Sequence, residues 1–231
     1  MLNPYLREVC LYYKFSTQIN FQRQSLTITR FQNCIVEETH QKYLQTYLQQ
    51  FSYLSPKELE LLRSQLSFNE YKSKDFFFKN GEIQKKMGYV CKGLLRRYYI
   101  NEKGKSITTG FVKENEYATD YPAFIQQRPS KYYMECLEPS TIIELSYDDI
   151  QEGYKNFKNN EKYGRLIAEK VLTIQTDRVE SFLFETAEER YLNFVKDNPN
   201  LINRISLTHL SSLLGIERQS LSRIRSKIAK K

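Results

Sequence analysis

The sequence is poor in the residues that build metal and redox centres. Its 231 residues include two histidines and four cysteines. Cys10, Cys34, Cys91 and Cys136 are scattered with no C-x-x-C pair, so neither a disulfide scaffold nor a zinc ribbon is expected. An iron–sulfur cluster would need four thiolates that converge. Cys91 and Cys136 instead fall in strand-like segments, where Cys behaves as a small hydrophobe. His40 and His209 are too few for a haem or a His-rich metal enzyme, and no His lies between residues 41 and 208 to serve a catalytic roll of strands. No apolar run approaches the roughly 18 residues that a membrane-spanning helix needs. Arg7, Glu8 and Lys14 break up any signal-peptide pattern at the N-terminus. These absences predict a cytoplasmic protein without metal, cofactor, membrane contact or enzymatic activity.

What is present is charge, unevenly placed. The chain carries a net +8, and most of it lies at one end. Between residues 200 and 231, Arg204, Arg218, Arg223, Arg225, Lys227, Lys230 and Lys231 face Glu217 alone, a net +6. Such asymmetry points to a polyanionic partner for the C-terminal end, nucleic acid before acidic membrane.

The hydrophobic patterning divides the chain further. Residues 1–40 follow neither the helical nor the strand period and read as an N-terminal extension; one expectation is that the native protein starts downstream of Met1. Ser55-Pro56-Lys57-Glu58 is a capping box with Pro at the first helical position. From Phe68 to Leu145 short aromatic and β-branched runs alternate with turn signals. Asn80-Gly81 ends Phe76-Phe77-Phe78, and Asn101-Glu102-Lys103-Gly104 joins a hairpin. Tyr132–Leu137 and Thr141–Leu145 read as a further strand pair. This spacing predicts an antiparallel roll. Ser146 caps a helix, and a long helix follows over about 161–184. Along it Leu166, Ile167, Val171, Ile174, Phe182 and Leu183 recur at spacings of three, four or their sums, with Arg178 on the same stripe. Ile167, Val171, Ile174, Arg178 and Phe182 are the expected self-association contacts. Thr186 to Glu189 is another capping box.

The last segment fits a helix-turn-helix. Ser206 caps a short first helix. Gly215 stands where the turn needs a left-handed residue, and Ser211 where the helices approach closely. Leu210, Leu214, Ile216, Leu221 and Ile224 fall where apolar side chains must hold the pair together. The second helix then presents Arg218, Gln219, Ser220, Ser222, Arg223 and Arg225 outward. Arg pairs two-pronged with guanine, Gln with adenine, and Ser with phosphate oxygens. Ser206 and Thr208, at the start of the first helix, complete the candidate DNA-contacting set.

Taken together, these elements resemble the CRP/FNR superfamily of bacterial transcription regulators over about residues 41–231. The carriers are Gly81-Glu82, Gly88-Tyr89-Val90, Lys92-Gly93-Leu94-Leu95-Arg96, Asn101 to Lys105, Leu213 to Ile216, and Ser220 to Ile224. The resemblance implies an α+β chain. It would have a cyclic-nucleotide-binding-like β-roll (double-stranded β-helix) over 41–158, a dimerisation helix over 159–185, and a helix-turn-helix, wing included, over 186–231. It implies a homodimer reading a pseudo-palindromic duplex and touching RNA polymerase, with Arg218, Gln219 and Arg223 at base-reading positions. The nucleotide-binding members' Gly-Glu and Arg-Ser or Arg-Thr signature is missing. Thr119, Asp120, Arg128 and Ser130 occupy that region instead, so the effector is unknown and cyclic AMP is not expected. A different reading of the same residues is a ligand-sensing module whose helix-turn-helix contacts protein.

Overall fold

The computed structural model describes residues 37–156 and 158–228. The chain divides into two compact units, residues 1–46 and 47–231. Of the first unit, residues 37–46 are described and all are helical (α1). The remainder of the N-terminal extension lies outside the described residues, as do Cys10, Cys34, Lys230 and Lys231.

In the second unit, a 3-10 turn (Gln49–Phe51) leads to α2 (Pro56–Gln65). The expected capping box is present: the Glu58 amide donates to the Ser55 side chain, and the Ser55 amide donates to Glu58 Oε2 at 2.7 Å. Eight strands follow: β1 (Ser67–Tyr71), β2 (Phe76–Phe78), β3 (Lys86–Lys92), β4 (Leu95–Ile100), β5 (Ser106–Val112), β6 (Tyr117–Ala118), β7 (Tyr133–Cys136) and β8 (Ser140–Ser146). They form two four-stranded sheets, ordered β1-β8-β3-β6 and β2-β7-β4-β5, with every pairing antiparallel.

Apart from the β4–β5 hairpin, consecutive strands therefore alternate between layers, and this corrects one expectation. β7 and β8 are both strands, but they do not pair with each other. β7 pairs with β2 and β4, whereas β8 pairs with β1 and β3. Pro139 sits at the corner where the chain changes sheet. Between the layers lies an apolar core of Phe77, Phe78, Val90, Leu95, Ala118, Met134, Cys136 and Ile142. Burial pushes the Cys136 thiol up to about 11 and the Cys91 thiol up to about 12, so both are protonated, unreactive side chains. At the β3–β4 turn Gly93 has φ +107°, and a Cβ there would fall on the Ser140 side chain. The local conformation and the close approach both require glycine.

A short helix inside the roll, α3 (Tyr121–Ile125), has no counterpart in the periodicity. After β8, α4 (Tyr147–Asn156) begins at Ser146, whose hydroxyl oxygen accepts the Asp149 amide. The long helix α5 spans Lys158–Phe184, starting somewhat earlier than expected, and α6 (Ala187–Asp197), α7 (Leu207–Leu213) and α8 (Arg218–Ile228) complete the chain. The described helices include none long and apolar enough to cross a membrane.

Candidate nucleic-acid interface

The C-terminal pair is built from its turn outward. Helix α7 is capped by Ser206, whose hydroxyl oxygen accepts the His209 amide at 3.1 Å. It ends in a Schellman motif. The Ile216 amide donates to Ser211 O at 3.0 Å and the Gly215 amide to Ser212 O at 3.3 Å. Gly215 has φ +66°, and a Cβ on it would lie 2.6 Å from the Phe182 ring. Phe182 of the long helix thus rests on the turn itself. Beneath the turn, Leu210, Leu214 and Leu221 are buried with Tyr191, and Ile216 and Ile224 pack against them. Ser211 is buried and donates to Thr208 O, so each residue expected to hold the two helices together does so.

Burial of Leu221 and partial burial of Ile224 and Ile228 on the underside of α8 leave the opposite surface to solvent. Arg218, Gln219, Ser220, Ser222, Arg223 and Arg225 are all exposed. Arg218, Arg223 and Arg225 form no ion pair among the described residues, whereas Ser222 donates back to Arg218 O at 3.1 Å. Ser206 and Thr208 are also exposed. Two other basic residues of this end are engaged internally. Lys227 pairs with Glu188 at 2.7 Å, and Arg204 lies between Glu114 and Glu138. Counting charge along the sequence could not separate these two groups, because their acidic partners lie 39 to 90 residues away.

The first helix of the pair is docked on the roll. β5 is the last strand of its sheet, and its Thr108 amide donates to Ser212 Oγ at 2.9 Å. Arg96, buried beneath, donates to Thr108 Oγ1 and Ser106 Oγ. Burial holds His209 below the usual imidazole range, and the nearby Arg96 charge lowers it further. From the long helix, Arg178 Nη2 donates to Leu213 O at 3.3 Å, and from α6 Arg190 Nε donates to Leu214 O at 3.0 Å.

The stripe expected for self-association divides between two environments. Ile167 and Val171 are half-buried; Ile167 borders an apolar cleft with Leu62, Met87 and Tyr154. Arg178 donates to Leu213 O and the Phe182 ring lies against Gly215, although Phe182 keeps 43 % of its surface exposed. Ile174 is exposed. Phe184 at 78 % is the most exposed of the described apolar residues of this helix, followed by Leu183 at 70 %, which lies on the expected stripe. Next come Leu172 at 68 % and Val179 at 58 %, which the spacing did not select. Their separation of seven residues, with Leu183 four further on, could have found them.

In the roll, the expected effector residues close on one another. Ser130 Oγ donates to Asp120 Oδ2 at 2.7 Å. The Asp120 amide and the Thr119 hydroxyl both donate to Gln84 Oε1. All four side chains are buried. Arg128 does not join them, since its Nε donates to Gln126 at 2.7 Å. The sequence reading missed Arg97. It donates to Thr109 and lies 5.1 Å from the Tyr132 ring, and burial lowers its guanidinium pKa. No group of three or more His, Cys, Asp or Glu residues suited to a metal ion occurs among the described residues.

Comparison with known proteins agrees with this architecture. Residues 68–157 match the family model of the cyclic nucleotide-binding domain. No curated protein sequence matches the chain. Among solved structures, FixK2 from Bradyrhizobium japonicum is 13 % identical with a TM-score of 0.64, covering 71 % of this chain and 85 % of its own. The c-di-GMP-responsive global regulator CLP from Xanthomonas campestris is 16 % identical with a TM-score of 0.58, covering 76 % and 92 %. A CooA mutant from Carboxydothermus hydrogenoformans is 13 % identical with a TM-score of 0.57, covering 73 % and 78 %. The resemblance read from the sequence thus holds at the level of fold, from the roll to the C-terminal helices.

Proposed function

We propose that this chain, a cyclic nucleotide-binding domain carried on the fold of the CRP/FNR regulators, is a sequence-specific DNA-binding transcription regulator of the cytoplasm that acts as a homodimer. The observation that carries the reading is α8. Its underside is anchored by Leu221 at 0 % exposure, while Arg218, Gln219, Ser220, Ser222, Arg223 and Arg225 face solvent. A helix held this way enters the major groove, where Arg223 and Gln219 reach base edges. Ser206 and Thr208 sit at the N-terminus of α7, the helix that crosses the phosphate backbone in such motifs. The role is regulatory and not enzymatic, with RNA polymerase as the protein partner.

Dimerisation is supported by the unpartnered apolar surface of α5. Leu172, Val179 and Leu183 carry it alongside Ile174 and Phe182, and a second copy presents a stripe of equal length. The roll serves as the effector domain. Its Asp120–Ser130 bond and Gln84 contacts fill the region where a cyclic phosphate and ribose would need open partners, which argues against cyclic AMP.

The test is selection of bound duplexes from a random pool, without added ligand, at near-physiological salt. The expected product is a pseudo-palindrome with half-sites about ten base pairs apart, one helical turn. Failure to enrich any sequence, repeated with cell-extract metabolites present, would remove the DNA-reading function and favour a protein-contacting module.

A further inference from the structure

Arg204 occupies the connection between α6 and α7, and its guanidinium is engaged on two sides. Nη1 and Nη2 donate to Glu114 Oε2 and Oε1 at 2.9 and 2.8 Å. Nε and Nη2 donate to Glu138 Oε1 and Oε2 at 3.0 and 2.7 Å. Glu114 follows β5, and Glu138 lies at the corner between β7 and β8, so one side chain of the α6–α7 connection grips two separate loops of the roll. The three side chains are only a quarter to a third exposed, at 25, 35 and 32 %. Glu114 is itself held in place, because Oε1 also accepts the Gly93 amide at 3.0 Å. Two neighbouring bonds join the same surfaces: Lys113 Nζ to Asn198 Oδ1 at 2.6 Å and the Thr108 amide to Ser212 Oγ at 2.9 Å.

We propose that Arg204 is a positioning residue: gripping Glu114 and Glu138, it fixes the helix-turn-helix on the roll with α8 facing outward, and so sets the half-site spacing that a dimer tolerates. The inference rests on the DNA-reading function above and assigns Arg204 a part in it other than phosphate contact. A guanidinium has five N–H donors, and four of these are engaged with carboxylates. Two glutamates around one arginine also leave a local net negative charge, which repels a phosphate. An isolated surface ion pair adds little. This one is two-pronged on both partners, partly desolvated, and ties segments 66 and 90 residues apart. Rotation of the helix-turn-helix on the roll would break all four bonds together, and α8 supplies none of them.

The test uses the full-length protein and Arg204→Ala, Arg204→Lys and Glu114→Gln variants. Without DNA, amide exchange at Thr108 reports the docking directly. Arg204→Ala should speed it about tenfold, the scale for losing a charge-assisted pair, with the Leu221 amide unchanged because the helix pair stays folded. Lysine, a point charge without the planar guanidinium fork, should restore protection only in part. With DNA, duplexes whose half-sites are moved apart by one and two base pairs should be bound with a sharp optimum by the wild type and a flattened one by Arg204→Ala. The salt dependence of affinity should stay the same. A salt slope shallower by about one would make Arg204 a phosphate contact and overturn the proposal. Unchanged Thr108 exchange would overturn it, and so would faster exchange with an undiminished spacing optimum. If Arg204→Ala exposes the Leu221 amide, Glu114→Gln, which keeps the arginine and its second partner, decides by the same readouts. A wild-type chain that binds no duplex refutes the DNA-reading function itself, and that failure is visible before any variant is compared.

Discussion

Two polar clusters in this protein invite comparison, one at the turn of the roll and one on α8. In the roll, Gln84, Thr119, Asp120 and Ser130 are buried and satisfy each other. On α8, three arginines and a glutamine are exposed, and the arginines have no ion pair among the described residues. Both groups contain residue types that bind ligands, and both fall in segments a reader of the sequence would single out. The difference is where their hydrogen bonds go. Buried polar groups must be paired inside the fold, and once paired they have little to offer a ligand. Exposed groups on a rigid, apolar-backed helix have that capacity in reserve.

The comparison can be broken from either side. The largest effect should come from removing the backing of α8. Leu221→Ala takes a fully buried side chain from the small C-terminal core and should cost about 2–5 kcal/mol. Thermal unfolding followed by a probe in α8 should show the loss, together with loss of specific DNA binding. Gly215→Ala should also destabilise, by about 1–3 kcal/mol, since the left-handed backbone and the Phe182 ring both oppose a Cβ. In the roll, Ser130→Ala leaves the buried Asp120 carboxylate without its hydroxyl donor and should cost about 1.5–3 kcal/mol in urea unfolding, with DNA affinity unchanged in the folded protein. The reverse pattern belongs to Arg223→Ala. Unfolding should be unaffected, because the side chain is exposed, whereas affinity for the selected duplex should fall by about 1–3 kcal/mol and preference should relax at one base pair per half-site.

The smallest effect concerns pH. His209 has its pKa lowered by burial and by Arg96, so the docked arrangement favours the neutral ring. Its contribution to docking is full above the ordinary imidazole value near 6.5 and declines as pH falls through the lowered one. Thr108 amide exchange, corrected for its intrinsic pH dependence, should reveal looser docking at mildly acidic pH. His209→Gln should remove that component.

Local chemistry was legible in the sequence. Ser55, Ser146, Thr186 and Ser206 cap the helices expected of them, and the apolar positions around Gly215 form one core. These signals act within a few residues, where period and capping chemistry are enough. Three features were not legible. β7 and β8 lie on different sheets, because strand partners in a roll are chosen by the whole topology and not by adjacency. The apolar face of α5 is divided, since the protein's own helix-turn-helix covers Arg178 and part of Phe182. Along the sequence Arg204 belongs to the C-terminal positive charge, whereas in the fold it is held by carboxylates 66 and 90 residues away. Each required knowing what a side chain meets across the fold.

The most direct test is the affinity of the full-length protein for a selected duplex against a scrambled one of equal length and composition, measured at the same near-physiological salt. The account predicts a preference of at least about a thousandfold, most of which disappears when Arg218, Gln219 and Arg223 are replaced by alanine in a chain that remains folded. Equal affinity for the two duplexes would contradict it and leave the basic C-terminus as a surface that attracts DNA without reading it.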